Sequence, residues 1–240
     1  MKTILIAHRG AQEIAPENTL SAFSLALHRG FPAVECDVQL SRDGKLVIIH
    51  DETLHRTTGK PGWVSRHTFA ELRKLPLQGQ ERIPTLSEVI ELVIRSARRR
   101  LVIEIKADSE AHAEKVALVL AKALAKLSAT ESRRVEVHSF WYKALRLFKR
   151  KCPLVTTAAI VGGGFDAPEI IAIAQKYQAN GVSLNYEFVS KSIVRDCHAA
   201  GLFVDTWAVP DGTVMKRLRR FGLEAIVENY TGKKIPIASS

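Results

Sequence analysis

An eight-stranded parallel β/α barrel is the fold this chain predicts, and three observations carry it. Short β-rich runs alternate with helix-length segments almost from end to end, the pattern of consecutive βαβ units. One of the nine β-rich runs follows its predecessor too closely for a crossover helix, so it drops out of the parallel count. No internal repeat or low-complexity stretch interrupts the alternation.

The β-rich runs are Thr3–His8, Ala33–Val38, Leu46–His50, Leu101–Lys106, Val135–Phe140, Leu154–Val161, Gly181–Asn185, Leu202–Ala208 and Glu224–Asn229. Helical patterns cover Thr19–Arg29, Thr85–Arg98, Ser109–Leu127, Tyr142–Arg150, Pro168–Tyr177, Ser190–Ala200 and Thr213–Arg220. Only Ser41-Arg42-Asp43-Gly44-Lys45 separates Val38–Leu40 from Leu46, and a short loop with Asp-Gly makes a hairpin. Leu46–His50 should therefore return antiparallel beside its predecessor, leaving eight parallel strands and seven intervening helices, the count of a TIM barrel. Residues 52–83 read as a short irregular excursion with a helix near Thr68–Leu75, so residues 1–240 are expected to form a single domain.

The 240 residues are 46% hydrophobic and 25% charged, ordinary for a globular protein and unlike a disordered or disulfide-stapled chain. A net charge of +10 attracts nucleic acid, anionic membranes and small phosphorylated molecules alike. The basic runs Arg98–Arg100, Arg133–Arg134, Lys149–Lys151 and Lys216–Arg220 are dispersed and flank helix ends, where they complement the helix dipole. Dispersal, with only 16 aromatic residues, argues against a nucleic-acid-binding module. Three cysteines, Cys36, Cys152 and Cys197, lack CxxC spacing, and no apolar run suits a signal peptide or a membrane span. A cytoplasmic protein without stable membrane association is expected.

Barrel active sites lie at the C-terminal ends of the strands. Those ends carry His8-Arg9-Gly10, Glu35 and Asp37, Glu104 and Lys106, His138-Ser139, Asn185, Trp207 and Glu228-Asn229, with His50-Asp51 closing the hairpin. Residues two apart share a strand face, so Glu35 projects with Asp37 and Glu104 with Lys106. Their flanks are apolar, which makes these charges costly unless paired or bound to a metal. An all-oxygen set of three carboxylates suits Mg²⁺ or Ca²⁺; salt bridges with Arg9 and Lys106 are the plain structural alternative. His8 and His50 each end an apolar run beside a charged residue, an arrangement fit for proton transfer. The remaining histidines read as surface residues, except His138, which stays open.

These residues fall into blocks: His8-Arg9-Gly10, Pro16-Glu17-Asn18-Thr19, Glu35-Cys36-Asp37, His50-Asp51, Ile83-Pro84-Thr85-Leu86 and Glu104-Ile105-Lys106. In this order and spacing, over nearly the whole length, the chain resembles a short, cytoplasmic bacterial-type glycerophosphodiester phosphodiesterase. The resemblance implies a TIM barrel and metal-dependent hydrolysis of glycerophosphodiesters to glycerol 3-phosphate and an alcohol. It implies Glu35, Asp37 and Glu104 as metal ligands, His8 and His50 as catalytic base and acid, and Arg9 and Lys106 on the phosphate oxygens. Trp207 matches an aromatic near the substrate, while Glu17 and Asn18 should shape the first loop. The last strand ends Val227-Glu228-Asn229-Tyr230-Thr231 where relatives often show Thr-Asp and then proline, so Asn229 can bond but carries no charge.

Overall fold

Residues 3–94 and 99–229 are described by the structure, a computed structural model. Its strands are β1 (Ile4–Ala7), β2 (Ala33–Leu40), β3 (Leu46–Ile48), β4 (Arg100–Ile105), β5 (Val135–Ser139), β6 (Thr156–Val161), β7 (Gly181–Asn185), β8 (Phe203–Val209) and β9 (Ala225–Glu228). Their order is β1-β9-β8-β7-β6-β5-β4-β2-β3, and β1 also pairs with β2. That pairing closes eight parallel strands into a barrel and leaves β3 outside, antiparallel on β2 through Val38 and Ile48.

Alternation along the strands sorts the core into two layers. Val34, Cys36, Leu101, Ile103, Val135, Val137 and Val204 face outward and are buried beneath the helices, together with Phe23, Phe31 and Phe148. Burying each such side chain contributes roughly 1.5–3 kcal/mol, which is what closes the helical shell onto the sheet. Ile6, Ala33, Val102, Ala225 and Val227 form a smaller apolar cluster with Ile4 and Trp207. The excursion makes a third cluster, in which Leu54, Val64, Leu72 and Ile83 cover Val47 and Ile49.

Helices Leu20–His28, Leu86–Ile94, Glu110–Leu124, Tyr142–Lys151, Ala167–Lys176, Lys191–Ala199 and Gly212–Leu218 occupy the seven expected crossovers. The end of the expected Thr85–Arg98 helix, residues 95–98, lies outside the described residues. Several boundaries differ from expectation. Ser109–Leu127 shortens to Glu110–Leu124, since Ser128 caps a separate short helix, Ala129–Ser132. The run expected at Leu154 starts as a strand only at Thr156, and the helix near Thr68–Leu75 is Phe69–Arg73, started by a Thr68/Glu71 capping box.

The hairpin strand ends at Ile48 rather than His50, and this matters for the site. Gln39 Nε2 reaches the carbonyl oxygens of Ile49, His50 and Asp51 at 3.1, 3.0 and 2.7 Å. One buried amide thus holds the chain in a turn where strand pairing has stopped. The basic runs also read differently in space: Arg99–Arg100 and Arg133–Arg134 lead into β4 and β5, and Lys149–Lys151 and Lys216–Arg220 end helices. Dispersed in sequence, they gather at the strand-start end of the barrel, opposite the mouth.

Candidate active site

The mouth is assembled by register. Ala7 pairs with Val34 and Asp37 with Glu104, which sets the residues after β1 level with Glu35 and Asp37 on β2 and Glu104 on β4. Ligand oxygens of Glu35, Asp37 and Glu104 lie within 4.8 Å of one another. Arg9 follows β1 in the left-handed region at φ 55°, and Gly10 follows it at φ 80°. A Cβ on Gly10 would sit 2.6 Å from the Ala22 carbonyl carbon, so this turn needs glycine for both its conformation and its close approach.

Two cations thread the carboxylates. Arg9 Nε lies 3.2 Å from Asp37 Oδ2, and Lys106 Nζ lies 2.6 Å from Glu104 Oε1 and 3.6 Å from Asp37 Oδ1. Burial pushes the Asp37 pKa up, but Lys106 and then Arg9 outweigh it and hold the carboxyl below its ordinary value. Burial raises Glu104 despite the opposing pull of Lys106. Glu35 is the unbalanced member. It accepts from the Arg9 backbone N–H at 2.9 Å, yet its Oε1 is buried with no hydrogen-bond partner. Burial, then Asp37 and Glu104, push its pKa well above the ordinary carboxylate range. Three converging carboxylates, two cations and, on each carboxylate, a buried oxygen without a hydrogen bond fit a hard divalent cation better than a closed set of salt bridges.

The two histidines stand at this mouth with unlike partners. His8 Nδ1 donates to Asn229 Oδ1 at 2.8 Å, and Gln12 Nε2 donates to the same oxygen at 2.6 Å. That tautomer leaves the lone pair on His8 Nε2, 4.0 Å from Glu35 Oε2. Burial, and then Arg9, pull the His8 pKa down to about 4, so the ring is neutral through the physiological range. Asn229, able to bond but uncharged, therefore holds His8 without adding charge. His50 Nδ1 instead meets the Asp51 carboxylate at 2.7 Å.

Arg56, which the sequence reading passed over, links the two halves of the mouth. It donates to both oxygens of Asp51, from Nε at 2.6 Å and Nη2 at 3.0 Å. It also donates to both oxygens of Glu17, from Nη1 at 2.8 Å and Nη2 at 2.7 Å. Glu17 in turn accepts from Arg9 Nη1 at 3.1 Å. One guanidinium thus ties the His50 partner to the Arg9 partner, as a planar fork can. Asn18, expected to shape the first loop, also reaches the carboxylates: its side chain donates to Asp37 Oδ2 at 2.8 Å and accepts from the Asp37 backbone at 3.2 Å. Trp207 reaches the rim, half-buried, with Nε1 donating to the Ser183 carbonyl at 3.1 Å and Phe140 edge-on at 5.6 Å.

Size does not mark this site. A larger cavity of about 810 Å³ lies between the hairpin and the helices behind it, lined by Leu46, Leu86, Ile90 and Leu127, and none of the residues above enter it. Chemistry locates the mouth.

Comparison with known proteins agrees. The model of the Glycerophosphoryl diester phosphodiesterase family matches residues 8–233. A glycerophosphodiester phosphodiesterase of Caldanaerobacter subterraneus is 34% identical over 235 residues, covering 95% of this chain and 94% of the relative. One from Bacillus altitudinis is 30% identical over 245 residues, covering 98% of each. The solved structure of an Oleispira antarctica phosphodiesterase in complex with the product sn-glycerol-3-phosphate superposes with a TM-score of 0.85 at 30% identity, covering 95% of this chain and 94% of that one. The chain belongs to the glycerophosphoryl diester phosphodiesterase family and is an enzyme of that class.

Proposed function

We propose that the chain hydrolyses small glycerophosphodiesters, such as glycerophosphocholine and glycerophosphoethanolamine, to sn-glycerol 3-phosphate and the free alcohol by proton transfer between His8 and His50. One observation carries the reading: two histidines with unlike partners, one amide and one carboxylate, flank a mouth that holds both phosphate-binding cations and an orphaned carboxylate oxygen.

In the first half-reaction, His8 Nε2 takes the proton of the glycerol 2-hydroxyl, whose oxygen attacks phosphorus within the same molecule. The P–O bond to the alcohol breaks, and His50 gives its proton to the departing oxygen. Intramolecular attack needs no second reactant to be captured, an advantage of up to several kcal/mol. Water then opens the cyclic phosphate, with His50 as base and His8 returning its proton. The buried, neutral His8 suits the opening role of base, and the Asp51 carboxylate fixes the orientation of the His50 ring. Arg9 and Lys106 bind the non-bridging oxygens, and Trp207 lines the rim. Glu35, Asp37 and Glu104 would hold Mg²⁺ or Ca²⁺, which when bound supplies positive charge against the phosphodiester.

The partner is a small diester rather than nucleic acid or a membrane, and the chain is read as one domain, since the excursion shares a core with β3. No helix among the described residues is long and apolar enough to cross a membrane. Three buried, unpaired cysteines support a reducing, cytoplasmic setting.

The test is release of glycerol 3-phosphate from both substrates, with Mg²⁺, with Ca²⁺ and with chelator, for the wild type and His50→Ala. Metal-dependent release that falls about 10²-fold or more in the variant is expected. Release that survives chelation, or an unimpaired variant, would overturn the assignment. A 2-deoxy analogue cleaved at the normal rate would remove the cyclic intermediate.

A further inference from the structure

Deeper in the barrel lies a second group of buried polar side chains that this reaction does not use. Glu136 and His138 point inward from β5 and Asp205 from β8, while Val135, Val137 and Val204 on the alternate positions pack into the outer core. Barrel interiors are ordinarily filled by branched aliphatic side chains, so a carboxylate–imidazole–carboxylate layer calls for a reason. His138 is 3% exposed and Asp205 is fully buried.

Each carboxylate is anchored by one oxygen and presents the other. Arg100 Nη2 donates to Glu136 Oε1 at 2.5 Å, and the Ser183 hydroxyl donates to Asp205 Oδ1. The presented atoms converge: His138 Nε2 lies 3.5 Å from Glu136 Oε2 and 3.7 Å from Asp205 Oδ2. Neither His138 Nε2 nor Asp205 Oδ2 has a hydrogen-bond partner, although both are buried. Such separations exceed the usual ~2.7–3.2 Å of a hydrogen bond. They match two donors on one tetrahedral ion, which lie roughly 3.3–3.6 Å apart when each is about 2.0–2.2 Å from the metal. All three donor atoms lie within 4.8 Å of one another, so small movements close the set.

We propose that Glu136, His138 and Asp205 bind one divalent transition-metal ion of the Zn²⁺ type, separate from the all-oxygen group at the mouth. The imidazole sets the class, because a mixed nitrogen and oxygen set suits Zn²⁺, whereas Mg²⁺ and Ca²⁺ favour oxygen alone. Arg100 and Ser183 fix the orientation of the two carboxylates, the service that outer hydrogen bonds give in built metal sites. A cavity of about 360 Å³ at the strand-start end is lined by Arg100, Glu136 and Glu224, so Glu136 stands between it and the group. The ion ties β5 to β8 across the interior, a structural role that does not depend on the reaction at the mouth.

The test uses metal-free full-length protein in excess Mg²⁺, which occupies the oxygen group, titrated with Zn²⁺ and, in parallel, Co²⁺. The wild type should retain about one Zn²⁺ per chain after dialysis, gain thermal stability on binding it, and show visible Co²⁺ absorption typical of a four-coordinate site. His138→Gln and Asp205→Asn should each lose the retained ion, the stability gain and the absorption, with circular dichroism verifying that at least one of them is folded. Retention of as much Zn²⁺ by either folded variant as by the wild type would assign the ion to surface histidines and overturn the site. So would a wild type that retains none, leaving a protonated His138 as the partner of the two carboxylates.

Discussion

The barrel carries two buried acidic groups, one on β2 and β4 and the other on β5 and β8, with Glu104 of one in register with His138 of the other. They look alike in composition and differ in what surrounds them. At the mouth, Glu35, Asp37 and Glu104 are reached by two cations on side chains that also touch solvent, and two histidines stand at the edge. Deeper in, Glu136, His138 and Asp205 are closed in, and the anchor on Asp205 is a neutral hydroxyl. Burial alone therefore does not make a catalytic site. Reach does: the upper group can meet a substrate, whereas the lower group can meet only an ion or a proton.

The sharpest way to break this contrast is a matched pair of isosteric substitutions. Asp37→Asn should lower kcat/KM about 10³-fold, the several kcal/mol that a lost charge clamp represents, while Asp205→Asn stays within about tenfold of the wild type. Equal losses in steady-state assays of the two folded variants would erase the distinction. A smaller effect is expected at Arg56, which touches Asp51 and Glu17, the partners of His50 and Arg9, and would act on the proposed reaction by positioning them. Arg56→Ala should reduce kcat about 10–100-fold with little change in KM. Lysine should rescue it poorly, since an ammonium cannot grip two carboxylates in a fork. A loss confined to KM, or full rescue by lysine, would reduce the bridge to a surface ion pair.

The smallest effect concerns Glu228, a buried carboxylate belonging to neither group. Burial, only partly opposed by Arg219, pushes its pKa up to about 7. A raised carboxylate pKa means that the native state holds its proton more tightly than the unfolded chain. The stability this adds is fully present below the unfolded value, near 4.5, and is lost as pH rises through about 7. Urea titrations at pH 5 and pH 8 should show a decline in the wild type that Glu228→Gln flattens. An unchanged pH dependence in the variant would show that Glu228 is not the group responsible.

Much of this was legible in the sequence. Periodicity and loop length placed the eight parallel strands and identified the hairpin, because a five-residue loop physically cannot hold a crossover. Strand-end position and face-sharing brought Glu35, Asp37, Glu104 and Lys106 together. Arg56 escaped because its two partners lie in different loops and meet only through the fold of the excursion. His138 stayed open because its partner Asp205 is three strands away around the barrel, a relation that no local pattern encodes. Asn229 was legible as an acceptor, but that its neutrality matches an uncharged His8 required the geometry.

The charges at the helix ends have one further consequence. First-turn or capping acids such as Glu110, Asp166, Glu169 and Asp211 lie toward the mouth, and last-turn bases such as Lys122, Lys149, Lys151, Lys176 and Lys216 lie at the far end. Among the described residues, charge at the helix ends is thus polarised along the barrel axis. A polyanionic surface would orient the molecule far end first, leaving the mouth turned toward solution.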